Sequence, residues 1–287
     1  MKREKLTNYA DLVYPDQKDT PYISFPILEQ FDFIKHGFST RLGGVSSGIY
    51  ESMNLGFRRG DDDANVFENY RRLCDSIGVD DHKLVFTDQV HKANVRVATA
   101  SDCGKGIRKE RTYSEIDGHI TNQPGVPLLI FSADCVPILY VDPVTKSIGA
   151  THSGWRGTVQ KIGAVTVEEM KKQFHSNPAD IIAVIGPCIG KECYEVSEDV
   201  AKAFESKFTK EQCEAFLTCN GANQNNEIKY QLDLWEANRL ILKEAGLTDE
   251  NIVVSELCTM CRSNLFFSHR ATQGKRGSMV GIISIQS

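Results

Sequence analysis

The chain contains 287 residues, with 33 Lys and Arg against 38 Asp and Glu, which gives a formal net charge of −5. Hydrophobic residues make up 41% of the chain and charged residues 25%, a composition that excludes a disordered chain, a collagen-like fibre and a coiled coil. The mild negative charge also argues against a general binder of nucleic acid or of anionic membranes, because such proteins need a basic face.

The distribution of apolar residues and cysteines predicts a cytoplasmic protein. No apolar segment follows the charged N-terminus, and the most apolar region, 126–141, is interrupted by Ser132, Asp134 and two prolines. We therefore expect neither a secretory signal nor a membrane span. The nine cysteines, without an export signal, indicate a reducing compartment and buried thiols instead of a disulfide framework.

Apolar periodicity predicts four helices within one domain that covers residues 1–287. They run from Asp63 to a stop at Gly78, after Gly157 as far as Phe174, after Ser197 as far as Phe208, and over about 232–245. The polar run 220–226 is expected to be a loop inserted between helices.

Short runs of β-branched and aliphatic residues predict strands at 128–131, 138–141, 148–151, 181–185, 252–255 and 279–285. Helices and strands mix without strict βαβ alternation, which favours a compact α+β domain with mixed β-sheets flanked by helices. There is no Gly-x-Gly-x-x-Gly after a strand and no Walker A motif, so a conventional dinucleotide or P-loop site is not expected.

Three residues at or near predicted strand ends form a candidate metal and catalytic site: His91, Cys135 and His152. Two imidazoles and one thiolate suit Zn²⁺, and three protein ligands leave a fourth position for water, as in catalytic zinc sites. The residue types alone fit equally well a packed core cysteine with two hydrogen-bonded histidines.

A second group of cysteines carries a weaker metal signal. Cys258 and Cys261 have C-x-x-C spacing, and Cys188 and Cys193 flank a glycine-rich turn. A four-cysteine zinc site would require both pairs to meet, and a thioredoxin-like role would require Cys258 at a helix N-terminus. Structural thiols are the default interpretation.

Two glycine-containing turns are candidates for binding an anion or a sugar. The turn 152–158 contains Arg156, and the turn 39–46 contains Arg41, with Asn54 nearby. Backbone N–H groups and a planar guanidinium suit phosphate. An ordinary tight turn and a surface loop remain the alternatives at these two places.

Three further residues could support such a site. Asp117 and Asp134 are candidates for carboxylates that orient a ligand or transfer a proton, and a turn acid is the simpler interpretation of Asp117. Arg270, after the run 266–268, could add a second cation to an anion pocket.

Six segments, in order along the chain, carry a specific resemblance. They are His36-Gly-Phe-Ser-Thr-Arg-Leu-Gly-Gly-Val-Ser, Asp88-Gln-Val-His91, Ser132-Ala-Asp-Cys-Val-Pro, His152-Ser-Gly-Trp-Arg-Gly, Gly186-Pro-Cys-Ile-Gly and Leu265-Phe-Phe-Ser-His-Arg270. The chain resembles the YfiH-type purine nucleoside phosphorylases, formerly described as the multicopper polyphenol oxidase or laccase-domain family.

This resemblance implies a zinc site at His91, Cys135 and His152. It also implies phosphorolysis of adenosine, inosine and S-methyl-5′-thioadenosine, with accompanying adenosine deamination, so purine nucleosides and phosphate are the expected partners. Copper is less favoured, because the seven histidines lack the His-x-His pairs of a trinuclear cluster. The substrate-binding candidates are Arg41, Asn54, Gln89, Arg156 and Arg270.

Within that set, Arg41 or Arg156 is predicted to hold phosphate. The segment 273–277 departs from a Gly-x-Thr-Gly-Arg-like pattern, so the resemblance assigns no role to Arg276. Two other functions stay open: a metal-free hydrolase or deamidase with Cys135 as nucleophile and a histidine as base, and a non-catalytic nucleoside-binding protein.

Overall fold

The computed structural model describes residues 1–16 and 18–286. In chain order the strands are β1 (Lys2–Lys5), β2 (Asp11–Tyr14), β3 (Tyr22–Ser24), β4 (Ile34–Ser39), β5 (Val85–Phe86), β6 (Val95–Val97), β7 (Gly118–Thr121), β8 (Leu128–Ser132), β9 (Val136–Asp142), β10 (Ser147–Ser153), β11 (Ile182–Ile185), β12 (Glu195–Ser197), β13 (Leu217–Ala222), β14 (Ile228–Leu232), β15 (Ile252–Val254) and β16 (Met279–Ile285). The helices are α1 (Pro26–Glu29), α2 (Asp63–Ile77), α3 (Trp155–Val159), α4 (Ile162–Phe174), α5 (Glu198–Glu205), α6 (Lys210–Phe216), α7 (Leu234–Glu244) and α8 (His269–Thr272).

The strands form two large sheets and a small one. Sheet 1 has the order β1-β2-β3-β4-β16-β8-β5, sheet 2 the order β15-β11-β9-β10-β7-β6, and sheet 3 the order β12-β14-β13. Sheet 1 has a parallel pair at β5 and β8, and sheet 2 has parallel pairs at β6 with β7 and at β11 with β15. The predicted α+β class with mixed sheets is confirmed.

Sheets 1 and 2 pack face to face over a shared apolar core. Alternate residues of a strand point to opposite faces, so Leu128, Ile130 and Leu139 lie in the shared core. Their neighbours Leu129 and Ile138 belong to outer clusters instead. Helix α2 covers the outer face of sheet 1, and α4 and α7 cover that of sheet 2. Covering both faces explains why the central strands read as continuous apolar runs.

Helix α2 follows the sequence prediction closely. The Asp62 side chain accepts a hydrogen bond from the N–H of Ala64, and Gly78 ends the helix in the left-handed conformation at φ 86°. Val66 and Tyr70 lie on its buried face.

The helix predicted after Gly157 is two helices. Helix α3 ends at Val159, and Lys161 takes the left-handed conformation, with φ 56°, before α4 begins. The helix predicted as far as Phe208 ends at Glu205, and Phe208 packs in the same buried cluster from the following turn.

The loop predicted between helices at 220–226 is confirmed only at 223–226, and it joins two strands instead of two helices. Residues up to Ala222 belong to β13, which pairs with β14 in an antiparallel hairpin with an irregular register between Cys219 and Gly221. The residues of β13 after Leu217 are exposed on both faces, so no alternation of apolar residues marks the strand.

No helix in residues 1–16 and 18–286 is both long enough and apolar enough to cross a membrane.

Candidate metal centre and cavity

The three predicted metal ligands come together at the ends of strands from both large sheets. Cys135 lies in the turn between β8 and β9, His152 is the penultimate residue of β10, and His91 lies in the loop after β5. Their ligand atoms lie within 4.8 Å of one another, and Sγ of Cys135 is 3.9 Å from Nε2 of His91. The two imidazole rings meet edge to face, with centroids 4.8 Å apart.

A buried carboxylate, Asp117, holds the imidazole of His152 and the backbone of His91. Oδ1 of Asp117 accepts hydrogen bonds from Nδ1 of His152 at 2.8 Å and from the backbone N–H of His91 at 3.0 Å. Its Oδ2 accepts from the N–H groups of Val90 and Lys92, both at 3.0 Å. Because Nδ1 of His152 is engaged, Nε2 is the nitrogen left for a ligand, as in carboxylate–histidine–zinc groups.

The same carboxylate stabilises an unusual backbone. His91 has φ 63°, a conformation that side chains other than glycine adopt at a cost and that recurs at functional sites. Burial raises the pKa of the Asp117 carboxyl, but the hydrogen bonds from His152 and from the backbone outweigh it and hold that pKa below its usual value. Asp117 therefore carries a negative charge beside the two histidines.

Cys135 and His152 each stabilise the charged form of the other. Burial raises the pKa of the Cys135 thiol, but the attraction and hydrogen bonding of His152 and His91 outweigh it and lower that pKa to about 6. Burial lowers the pKa of His152, but the Cys135 thiolate and the Asp117 carboxylate raise it to about 9. A thiolate with adjacent imidazoles is suited to a soft or borderline metal ion.

Gly154 is required by the close approach of the backbone to these donors. A Cβ atom at this position would lie 2.7 Å from Cδ2 of His91 and 3.1 Å from Sγ of Cys135. Both distances are shorter than ordinary contacts, so a side chain here would displace the donors. The backbone of Gly154, the residue before α3, thus packs directly against the donor side chains.

Asp134 stabilises the turn that carries Cys135. It lies in the left-handed region at φ 82°, and its carboxylate is buried. Its Oδ1 accepts from Oγ1 of Thr259 at 2.6 Å, and its Oδ2 accepts from Oγ of Ser268 at 3.1 Å and from the N–H of Arg270 at 2.7 Å. Both oxygens are therefore engaged with the C-terminal segment.

The donor group opens into a cavity of about 310 Å³, within the size range of small-molecule sites. Three phenylalanines, Phe57, Phe86 and Phe131, line it together with His91, Cys135 and His152. The rings of Phe86 and Phe131 have centroids 5.9 Å apart. A cavity with aromatic walls beside polar donors suits a flat heterocycle.

The predicted arginine Arg41 lies outside the lining of this cavity. Its Nε and Nη2 donate to the carbonyl of Glu51 at 3.0 and 2.7 Å, and its Nη1 donates to the carbonyl of Ser263 at 3.0 Å. The guanidinium also stacks on Phe267, 4.7 Å from the ring centroid. Backbone carbonyls therefore occupy the donors expected to bind phosphate.

Arg156 and Arg270 are also outside the lining, and both guanidinium groups stack on aromatic rings. That of Arg156 lies 4.2 Å from the ring centroid of Trp155, and that of Arg270 lies 5.2 Å from the ring of Tyr194. Nη1 of Arg270 donates to the carbonyl of Glu195 at 2.9 Å.

The amides of Asn54 and Gln89 position the walls. Oδ1 of the buried Asn54 accepts from the N–H groups of Gly56 and Ser278, both at 2.9 Å. Gln89 lines the cavity, but its Oε1 accepts from the N–H of Phe131 at 2.7 Å and its Nε2 donates to the carbonyl of the same residue at 3.0 Å.

Sequence reasoning missed the arginines that do line the cavity, which are Arg58, Arg59, Arg111 and Arg276. Arg111 pairs with Asp88 at 2.6 Å, whereas no described carboxylate forms an ion pair with the other three. Nε of Arg276 is buried without a hydrogen-bond partner among the described residues. Burial and the neighbouring Arg59 lower the pKa of Arg276 to about 10, so it stays charged at neutral pH.

The chain is similar to proteins of known sequence and structure over most of its length. It is 42% identical to "Purine nucleoside phosphorylase YlmD" of Bacillus subtilis over 251 residues, which cover 87% of this chain and 88% of that protein. It is 34% identical over 252 residues to "Adenosine deaminase RL5" of an unknown prokaryotic organism, covering 85% and 93% of the two chains.

The fold is that of a solved relative. The crystal structure of Bacillus licheniformis protein YfiH superimposes with a TM-score of 0.85 at 35% identity, covering 94% of this chain and 98% of that one. Residues 35–286 match the family described as multi-copper polyphenol oxidoreductase laccase. The resemblance predicted from the six sequence segments is confirmed, and the chain belongs to this family of enzymes.

Proposed function

We propose that the protein is a zinc-dependent purine nucleoside phosphorylase. It would cleave adenosine, inosine and S-methyl-5′-thioadenosine with phosphate, giving the free purine and ribose 1-phosphate or its methylthio analogue, and it would also deaminate adenosine. One observation carries the proposal: a single cavity is lined by the His91, Cys135 and His152 donors, by aromatic rings and by arginines, three of which have no carboxylate partner among the described residues.

The donor set fits Zn²⁺. His91, Cys135 and His152 offer two imidazole nitrogens and a thiolate, and three protein ligands leave a position for a small molecule. The missing side chain at Gly154 leaves room beside the donors that a Cβ atom would fill. When bound, Zn²⁺ supplies a Lewis acid toward the purine and lowers the pKa of a bound water for deamination.

Phosphate binding is assigned to Arg59 and Arg276 in place of Arg41 or Arg156. A charged guanidinium with a buried, unpartnered Nε is costly unless an anion joins it, and phosphate accepts several such hydrogen bonds. Nη1 of Arg276 already donates to the carbonyl of Gly277 at 2.9 Å, which fixes the orientation of the group. Arg59 adds the second positive charge that a phosphate dianion needs.

Three groups of residues would contribute to this reaction. Arg59 and Arg276 hold phosphate so that one oxygen attacks the anomeric carbon as the bond to the purine nitrogen breaks, and the bonding electrons leave with the base. Phe131 and its aromatic neighbours hold the purine and exclude water from the developing cation. Asp117 fixes His152 throughout.

A metal-free thiol enzyme is the second candidate, and the lowered pKa of Cys135 beside His152 favours it. In that case the thiolate would attack an amide or amidine carbon, and His152 would protonate the leaving group. Stoichiometric zinc that protects Cys135 from iodoacetamide would contradict this candidate. Rapid alkylation of a metal-free but active protein would support it.

The proposed function is tested with purified protein, inosine or adenosine, and phosphate present or absent. Chromatography should detect free base and ribose 1-phosphate in equal amounts only when phosphate is present, and inosine from adenosine also when it is absent. Micromolar nucleoside binding without any product would contradict the proposal and would indicate a nucleoside-binding protein.

A further inference from the structure

A second cluster of metal-type ligands lies outside the cavity. Sγ atoms of Cys193, Cys258 and Cys261 lie within 4.8 Å of one another, and those of Cys193 and Cys261 are 3.3 Å apart. Cys193 ends the short 3₁₀ helix Lys191–Cys193, whereas Cys258 and Cys261 follow β15. The cluster therefore joins two segments that are far apart in the sequence. Cys188, the fourth cysteine considered from the sequence, does not belong to it.

The backbone around Cys258 is arranged as it is around a metal-bound thiolate. The N–H of Gly190 donates to Sγ of Cys258 at 3.2 Å, and the N–H of Cys261 donates to the same atom at 3.4 Å. Two donors directed at one sulfur favour the ionised thiolate, which is the form that ligates metals. Gly190 leaves room for this approach, since a Cβ atom there would lie 3.2 Å from Cβ of Cys258 and 3.3 Å from Cζ3 of Trp235.

The sulfur spacing also suits a shared ion. Zn–S bonds of about 2.3 Å in a tetrahedral site place neighbouring sulfurs about 3.8 Å apart. The separation of 3.3 Å between Cys193 and Cys261 is closer to that value than to the disulfide bond length of about 2.05 Å. Small side-chain rotations would equalise the three separations around one ion.

We propose that Cys193, Cys258 and Cys261 form a second metal site that binds Zn²⁺ through three thiolates, with solvent as the fourth ligand. Cys261 is exposed, so the fourth position faces water. Thiolates select zinc over magnesium or calcium because soft sulfur ligands suit borderline and soft ions. This proposal does not depend on the reaction catalysed in the cavity.

The site would stabilise the turn that carries Cys135. The N–H of Ile189, on the segment before Cys193, donates to the carbonyl of Asp134 at 3.0 Å. On the other segment, Thr259 lies between the two cysteines of the C-x-x-C pair and donates to the carboxylate of Asp134. A metal that ties these two segments together therefore holds Asp134, and with it the neighbouring Cys135, from both sides.

The test is the metal content of the full chain, purified with a reductant and without an affinity tag, measured by mass spectrometry. The wild type should contain about two zinc ions per chain, and Cys193→Ser and Cys261→Ser about one. His91→Ala should also retain about one, in the second site. Cys219→Ser is the matched control, since Cys219 is an exposed cysteine outside the cluster, and it should keep both ions.

Cobalt spectra provide a readout that does not depend on zinc retention during purification. In a His91→Ala background, Co²⁺ should give strong thiolate charge-transfer absorption that the further change Cys258→Ser abolishes. Unchanged zinc content in the cluster variants, or no such absorption in the His91→Ala protein, would overturn the proposal. A disulfide between Cys193 and Cys261 in the freshly purified protein, seen by intact mass, would overturn it as well.

Discussion

The close contact at Gly154 predicts that one added methyl group lowers the metal affinity of this centre without unfolding the protein. In Gly154→Ala, the new Cβ would lie 2.7 Å from Cδ2 of His91, whereas carbon atoms prefer about 3.5 Å or more. The imidazole must therefore move by about 0.8 Å, several times the tolerance of about 0.2 Å for metal–ligand distances. We expect metal affinity at this centre to fall by about 10- to 100-fold.

The backbone at Gly154, with φ −65°, suits alanine, so the loss should come from the contact alone. Gly157→Ala is the matched control, because its nearest neighbour, the carbonyl oxygen of His152, would lie 3.5 Å away. Within helix α3 that change should stabilise by up to about 1 kcal/mol. Competition with a zinc-binding dye measures the affinity, and thermal unfolding verifies the fold. Wild-type zinc affinity in Gly154→Ala would refute the reasoning.

Three further predictions follow from other parts of the structure. Asp117→Asn should weaken metal binding about 10- to 100-fold, because an amide nitrogen would face N–H donors and the orientation of His152 would be lost. Isothermal titration with Zn²⁺ measures the affinity, and an unchanged value would contradict the role of the carboxylate. Arg276→Met should raise the KM for phosphate about 10-fold or more with little change in the KM for inosine. The guanidinium of Arg156 stacks outside the cavity, so Arg156→Met should leave both KM values near wild type. Equal effects of the two changes would contradict the assignment of Arg276 to phosphate. His119 is buried with neither ring nitrogen hydrogen-bonded among the described residues, and burial lowers its pKa to about 3. His119 is therefore protonated more readily in the unfolded chain, and the free energy of unfolding falls as the pH drops from about 6.5 toward 3. Between pH 6 and 4, the free energy of unfolding of His119→Phe, measured in urea, should fall by about 1.4 kcal/mol less per pH unit than that of the wild type. Parallel curves for the two proteins would show that His119 contributes nothing to the pH dependence.

The sequence predicted those parts of the fold whose signals are local. The strands β8, β9, β10 and β16 are long apolar runs because two sheets and two helical layers bury both of their faces. Helix α2 has an acidic cap and a glycine stop, so its bounds were also predictable. The hairpin of β13 and β14 escaped prediction because exposed strands lack apolar alternation.

The break between α3 and α4 depends on tertiary packing. Apolar periodicity continues through Lys161, whose left-handed backbone is not marked by a glycine, an asparagine or a proline. Local patterns therefore predicted one continuous helix, although only α4 lies wholly within the predicted range and α3 begins before it, at Trp155.

The sequence predicted the candidate metal ligands, because chemistry restricts their residue type. It did not predict the arginines that line the cavity, because a positive charge alone does not distinguish one arginine from another. Few residue types can ligate zinc, so His91, Cys135 and His152 could be selected although they are distant in the sequence. An arginine in a glycine-rich turn, in contrast, looks the same whether it binds phosphate or a backbone carbonyl. A buried Nε without a hydrogen-bond partner among the described residues separates Arg276 from Arg41, and that property exists only in the folded chain.

The most direct test of the account is inosine phosphorolysis before and after metal removal. Protein stripped with a strong chelator, dialysed and assayed at saturating phosphate should form ribose 1-phosphate at a small fraction of the original rate, and added Zn²⁺ should restore that rate. Circular dichroism must show that the stripped protein is still folded. Full activity in folded protein that contains no metal would contradict the assignment of His91, Cys135 and His152 as a catalytic metal centre.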